Sequence, residues 1–134
     1  MAQNENAVTW FVDRHVTDGH ADKLAFREAA GHKRSLSYGE LADQTARAAG
    51  AYARADIRRE ERALLLVLDQ LEFLPPFWGA LKCGVIPVPL NTMLGTPVYE
   101  AILRDSRAAC LFVSQELWPV AIRICSRSRR RSPN

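Results

Sequence analysis

Apolar positions change their spacing several times along this chain, and each change marks an element. Val8, Phe11, Val12, His15 and Val16 recur at helical intervals, so residues 9–17 are expected to form an amphipathic helix. Asp18-Gly19 ends it. Residues 23–28 and 34–37 read as short extended segments joined by a hairpin turn at Ala30-Gly31-His32. Ser37 then precedes Tyr38, with Glu40 three residues on. In that capping-box pattern a hydroxyl and a carboxylate satisfy free N–H groups at a helix start. The helix is expected to run to about Arg54 and to turn Leu41, Thr45, Ala48, Ala49 and Tyr52 inward.

Residues 63–68 are apolar without alternation, as in a parallel strand covered on both faces. Residues 71–82 follow with Phe73, Phe77, Trp78 and Leu81 on one side of a helix. Pro75-Pro76 lacks two backbone donors, which places the helix start near Pro75, and Gly84 supplies the C-terminal cap. The pattern then gives a strand at 85–90, a helix at 97–107, a strand at 110–113 and a helix beginning at 116–124. Alternating elements with short connections imply an α/β fold, a parallel sheet with helices on both faces.

Composition narrows the class. The chain has 134 residues, 48% apolar and 25% charged, which suits one soluble globular unit. Its formal charge of +3 misleads, because five of its 18 basic residues lie in 121–134 with no acid among them, and the rest is mildly acidic. A nucleic-acid-binding domain carries its positive charge on the folded surface, so nucleic acid is not the expected partner. No apolar run approaches the roughly 20 residues of a membrane span, and the polar start shows no secretory pattern. Cys83, Cys110 and Cys125 have no CxxC spacing. They fit free thiols in a reducing, cytoplasmic setting, where Cys83 and Cys110 act as small hydrophobes.

Two segments carry more than fold. Leu36-Ser37-Tyr38-Gly39-Glu40-Leu41 is similar to the first core motif of the adenylate-forming superfamily. Leu81-Lys82-Cys83-Gly84-Val85-Ile86-Pro87-Val88-Pro89-Leu90-Asn91 resembles its second, with Cys83 for the usual alanine and Asn91 for the aspartate. The stretches Asn6-Ala7, Trp10 to Val16, Asp22 to Phe26, Pro89 to Leu94, Tyr99 and Ile102 to Arg107 resemble benzoate-CoA ligases and related aryl-CoA ligases. The likeness spans about residues 6–120. It implies the partial N-terminal subdomain of the adenylate-forming fold. It also implies a parent enzyme that joins a small-molecule carboxylate to ATP, with Mg²⁺, and then passes the acyl group to the thiol of CoA.

The sequence lacks the motifs that the resemblance implies would perform this chemistry. The sequence has no Gly-rich loop with Ser/Thr and lysine, and no GxGxxG or Walker pattern. No catalytic residue and no metal ligand is therefore assigned. Residues 1–120 are expected to be an incomplete N-terminal part of an AMP-binding ligase domain, inactive alone and a poor binder of ATP, Mg²⁺ or CoA. Residues 121–134 are expected to be a basic Arg/Ser tail, disordered or the product of a shifted frame. Asn91, Thr92 and Met93 follow a strand end, where open α/β sheets place ligands. The resemblance puts them at the rim of the CoA channel, with Met93 where some relatives carry an arginine.

Other conspicuous residues have simpler readings. Ser37 and Glu40 are a helix cap, Lys82 a solvated residue favoured at a helix C-terminus, and His15 a packing or surface residue. Phe77 and Trp78 suit a core. The competing functional reading is a non-catalytic α/β binding module whose basic tail attracts a polyanion.

Overall fold

The computed structural model describes residues 6–129. A π-helical turn, Thr9–Asp13, leads into α1 (Arg14–Thr17), giving the helical stretch expected at 9–17. β1 (Leu24–Arg27) and β2 (Ser35–Ser37) pair antiparallel, Phe26 opposite Leu36 and Arg27 opposite Ser35. Next comes α2 (Tyr38–Arg54). Its start is fixed by sequence: Glu40 N–H donates to Ser37 Oγ at 3.2 Å, and Ser37 N–H donates to Glu40 Oε2 at 2.8 Å. Such a cap is worth about 0.5–2 kcal/mol.

β3 (Arg62–Leu66), β4 (Ile86–Pro89) and β5 (Cys110–Val113) form a parallel sheet in the order β4-β3-β5. α3 (Leu74–Cys83) joins β3 to β4, and α4 (Thr96–Ser106) carries the chain back across to β5. A 3-10 turn, Leu71–Phe73, precedes α3. This resolves the awkward prolines: Pro75 and Pro76 occupy the first turn, where no intrahelical N–H bond is required. Gly84 ends α3 at φ +79°, a left-handed position that suits glycine.

The two faces of the sheet are divided by alternate residues of its strands. Ala63 packs with Tyr52, Ala80, Cys110 and Phe112, on the side of α2 and α3. Leu66 packs with Tyr99, Ile124, Leu111 and Val113, on the side of α4 and α5 (Trp118–Arg129). Helices thus cover both faces. Leu64, Leu65 and Leu66 are no more than 1% exposed, and each buried leucine contributes roughly 1.5–3 kcal/mol.

Equal burial of the three strands, as their unalternating sequences suggested, does not hold. β3 is enclosed because it is central, whereas β4 and β5 form the two edges and are only partly covered. Ile86 on β4 is 42% exposed.

The stretch expected as a tail from 121 is helical as far as Arg129, because Ala121 and Ile124 fall on the buried side of α5. Residues 130–134 of that tail, and the polar start at 1–5, lie outside the described residues. No described helix is long and apolar enough to cross a membrane.

Candidate functional site

Parallel strands bring three connections together at one edge of the sheet. The chain leaves β3 through Leu68–Gln70 toward α3 on one face, and leaves β5 through Ser114 toward α5 on the other. A crevice opens where neighbouring strands send their connections to opposite faces. Here it has a volume of about 400 Å³ and is lined by Val67, Gln70, Glu72, Phe112, Ser114 and Glu116, among others. Ser114 ties its two sides: Leu68 N–H donates to Ser114 Oγ at 2.9 Å, and Ser114 N–H donates to Leu66 O at 3.1 Å.

Asn91, Thr92 and Met93 sit together at the same sheet edge, on the turn after β4. Met93 N–H donates to Asn91 Oδ1 at 2.9 Å, closing a local turn. Tyr99 donates its hydroxyl to Asn91 O at 2.7 Å and accepts from Leu94 N–H at 3.2 Å. Asn91 is exposed, Thr92 half-buried, and the Met93 side chain 90% exposed. Tyr99 and Ser114 were not singled out as site residues by the sequence. The available signal for Tyr99 is an asparagine at a strand end followed by a tyrosine eight residues on.

The charge of this rim decides what it can hold. Asp69, Glu72 and Glu116 are its ionisable groups, and residues 67–70, 90–95 and 114–116 contain no lysine or arginine. Glu72 is already held by Arg34, whose hydrogen bond keeps the Glu72 carboxyl below the usual carboxylate range. These residues do not fit a triphosphate on their own. Among the described residues no group of three His, Cys, Asp or Glu side chains is placed to hold a metal ion.

The other candidates prove structural. Lys82 is not freely solvated: its Nζ pairs with Asp13 Oδ2 at 2.7 Å, tying α3 to the N-terminal helix. The pair belongs to a polar hollow of about 420 Å³, where Asn6 Nδ2 also donates to Leu81 O at 2.8 Å and caps α3. His15 stacks on Tyr38 at 3.9 Å between ring centroids. Phe77 packs against Phe73 and Trp78, with centroids 5.4 and 5.2 Å apart. Burial, reinforced by Glu61, raises the Cys110 thiol above its ordinary range, the reverse of activation. Cys83 donates its thiol to Gly79 O at 3.2 Å.

Residues 12–132 match the family described as AMP-binding enzyme. This chain belongs to that family. The match continues through the stretch that the sequence pattern set apart as a tail. The 4-hydroxybenzoate–CoA/benzoate–CoA ligase of Rhodopseudomonas palustris is 44% identical over 115 residues, 86% of this chain and 21% of the relative. A crystal structure of the anthranilate CoA ligase AuaEII with anthranoyl-AMP superposes at a TM-score of 0.82 and 33% identity, over 90% of this chain and 22% of that one. A benzoate CoA ligase from Burkholderia xenovorans LB400 gives 0.79 and 30%, over 95% and 24%. The chain therefore spans about a fifth of the length of the curated relatives it matches. The part matched is the N-terminal part of adenylate-forming CoA ligases.

Proposed function

We propose that this chain is the N-terminal portion of an ATP-dependent aryl-CoA ligase acting on a benzoate-like carboxylate, and that it is inactive by itself. The observation that carries this reading is the 44% identity to a benzoate-type ligase over 86% of the chain. In the whole protein, bound ATP supplies the adenylyl group, Mg²⁺ offsets triphosphate charge, and CoA supplies the acceptor thiol. This segment contributes none of the groups that meet transition-state charge, because its sheet edge is neutral to acidic. Its contribution is structural, with Asn91, Thr92 and Met93 forming part of the CoA-channel rim. Three free thiols, Cys83, Cys110 and Cys125, suit a cytoplasmic setting.

Catalysis of adenylation depends on preorganised groups aimed at developing charge. The pure polypeptide is therefore expected to give no carboxylate-dependent exchange of pyrophosphate into ATP, with benzoate or with a panel of other acids. Exchange clearly above a protein-free control overturns the claim of inactivity.

A further inference from the structure

We propose that the outer edge of β5 is the seam at which two copies of this chain pair antiparallel about a twofold axis, with α5 beside α5.

The two edges of the sheet differ in what their backbones offer. Successive N–H groups along a strand point to opposite sides. On β4, Ile86 N–H donates inward to Glu61 O at 2.8 Å, and Leu90 N–H to Leu65 O at 2.9 Å. The alternate positions, which face outward, are Pro87 and Pro89, and neither has an N–H. That edge lacks the donors a further strand needs. On β5, Ala109 N–H donates inward to Arg62 O at 2.8 Å. Alternation then turns Cys110 and Phe112 outward with N–H and C=O intact. β5 holds no proline and no charged residue, the usual protections of a strand edge. It pairs with no other described strand.

This asymmetry selects the partner. A head-to-tail contact between copies would join β5 to a neighbour's β4, where the prolines block it. Pairing β5 with a second β5 is self-complementary and closes after two copies. The antiparallel arrangement keeps both α5 helices on one face of the extended sheet. The groove of about 600 Å³ beside Leu111 and Val113 then faces its own copy. Trp118 and Ile122, 58% and 52% exposed, are the side chains that fill it. Charge agrees with this arrangement. Glu116 precedes α5, whereas α5 itself carries Arg123, Arg127 and Arg129 and no acid. Antiparallel helices set the acidic entry of one beside the basic end of the other.

The test uses the full chain. Sedimentation equilibrium over a wide concentration range should give a reversible monomer–dimer equilibrium that stops at two. Hydrogen exchange followed by NMR should show the Cys110 and Phe112 amides slowing as concentration rises. Glu116→Arg, an exposed change outside the core, should raise the dimer dissociation constant about fivefold, because the twofold counts each screened ion pair twice. Adding Arg123→Glu and Arg127→Glu to it should restore pairing. A monomer at every concentration overturns the proposal, as do assemblies beyond two, or a dimer whose Cys110 and Phe112 amides stay fast. Charge changes without effect overturn the antiparallel arrangement. A monomer that protects those amides only when the rest of a relative's ligase is added as a separate chain assigns the edge to the parent fold, and overturns the pairing of copies.

Discussion

Gly79 of α3 lies against Ala48 of α2 with no space between them: a Cβ on Gly79 would stand 2.5 Å from the Cβ of Ala48 and 2.9 Å from the Ala49 nitrogen. Backbone blocks one side of that gap, so no rotamer change relieves the clash. The approach seats two helices together under one face of the sheet and brings Tyr52 within reach of α3, where its hydroxyl donates to Pro76 O at 2.9 Å. Burial of that hydroxyl raises its pKa, with Cys110 and Cys83 adding to the effect.

Gly79→Ala is expected to destabilise the chain by about 1–3 kcal/mol, the usual cost of overpacking, despite alanine's better helix propensity. Gly50→Ala, on the same side of the sheet but with only the flexible end of Arg54 near its Cβ position, should be neutral or stabilising. Urea unfolding of both variants checks this. Equal stabilisation of the two would mean that α2 and α3 do not meet at Gly79.

How much of this was legible from sequence differs by element. The start of α2 was, because Ser37 and Glu40 are three residues apart and need only each other. Strands β3, β4 and β5 were, because apolar runs bounded by turns identify themselves locally. Their unequal exposure was not, since being central in the order β4-β3-β5 is a property of topology. The Gly79–Ala48 contact was hidden for a similar reason: helical periodicity gives a buried face but not which residue of a partner it meets. At the rim, the residues 91–93 were placed by their strand end, whereas Tyr99 acts across a turn that only the folded chain closes. Lys82 was misjudged because its partner, Asp13, lies far off in sequence.

The hairpin offers a pH test. Arg34 contacts Glu28 through Nε at 3.1 Å and Glu72 through Nη2 at 2.9 Å, linking the hairpin loop before β2 to the turn before α3. The Arg34 hydrogen bond lowers both carboxyl pKa values, and the two carboxylates raise that of Arg34. A carboxylate with a depressed folded pKa stabilises the fold above its unfolded pKa and loses that contribution as pH falls through the folded value. The difference in Tm between wild type and Arg34→Gln should therefore be greatest near neutrality and shrink below about pH 4. It should also be small throughout, because the groups are solvent-screened. A difference that grows on acidification contradicts the assignment.

The outer edge of β5, which pairs with no other described strand, predicts association. Beside the unpaired edge of β5 runs an apolar groove of about 600 Å³, with Leu111, Val113 and Cys125 among its lining and Trp118 and Ile122 more than half exposed. Exposed apolar surface next to a free strand edge favours contact with other chains. The purified chain should bind a hydrophobic dye and associate increasingly with concentration, and Trp118→Asp with Ile122→Asp should weaken both. A dye-silent monomer unfolding sharply above about 50 °C, as ordinary mesophile domains do, would mean that this unit is self-sufficient.

We propose that these residues form the N-terminal portion of an aryl-CoA ligase and supply scaffold rather than chemistry. The most direct test is a chimera in which residues 12–120 replace the matching segment of the Rhodopseudomonas palustris 4-hydroxybenzoate–CoA/benzoate–CoA ligase, to which this chain is 44% identical over 115 residues. The measurement is benzoate- and CoA-dependent formation of AMP from ATP. The chimera is expected to be active, because the groups that handle ATP would come from the remainder of the relative and this segment would restore their support. A chimera that is soluble and cooperatively folded, yet forms no AMP above a control lacking benzoate, would contradict it.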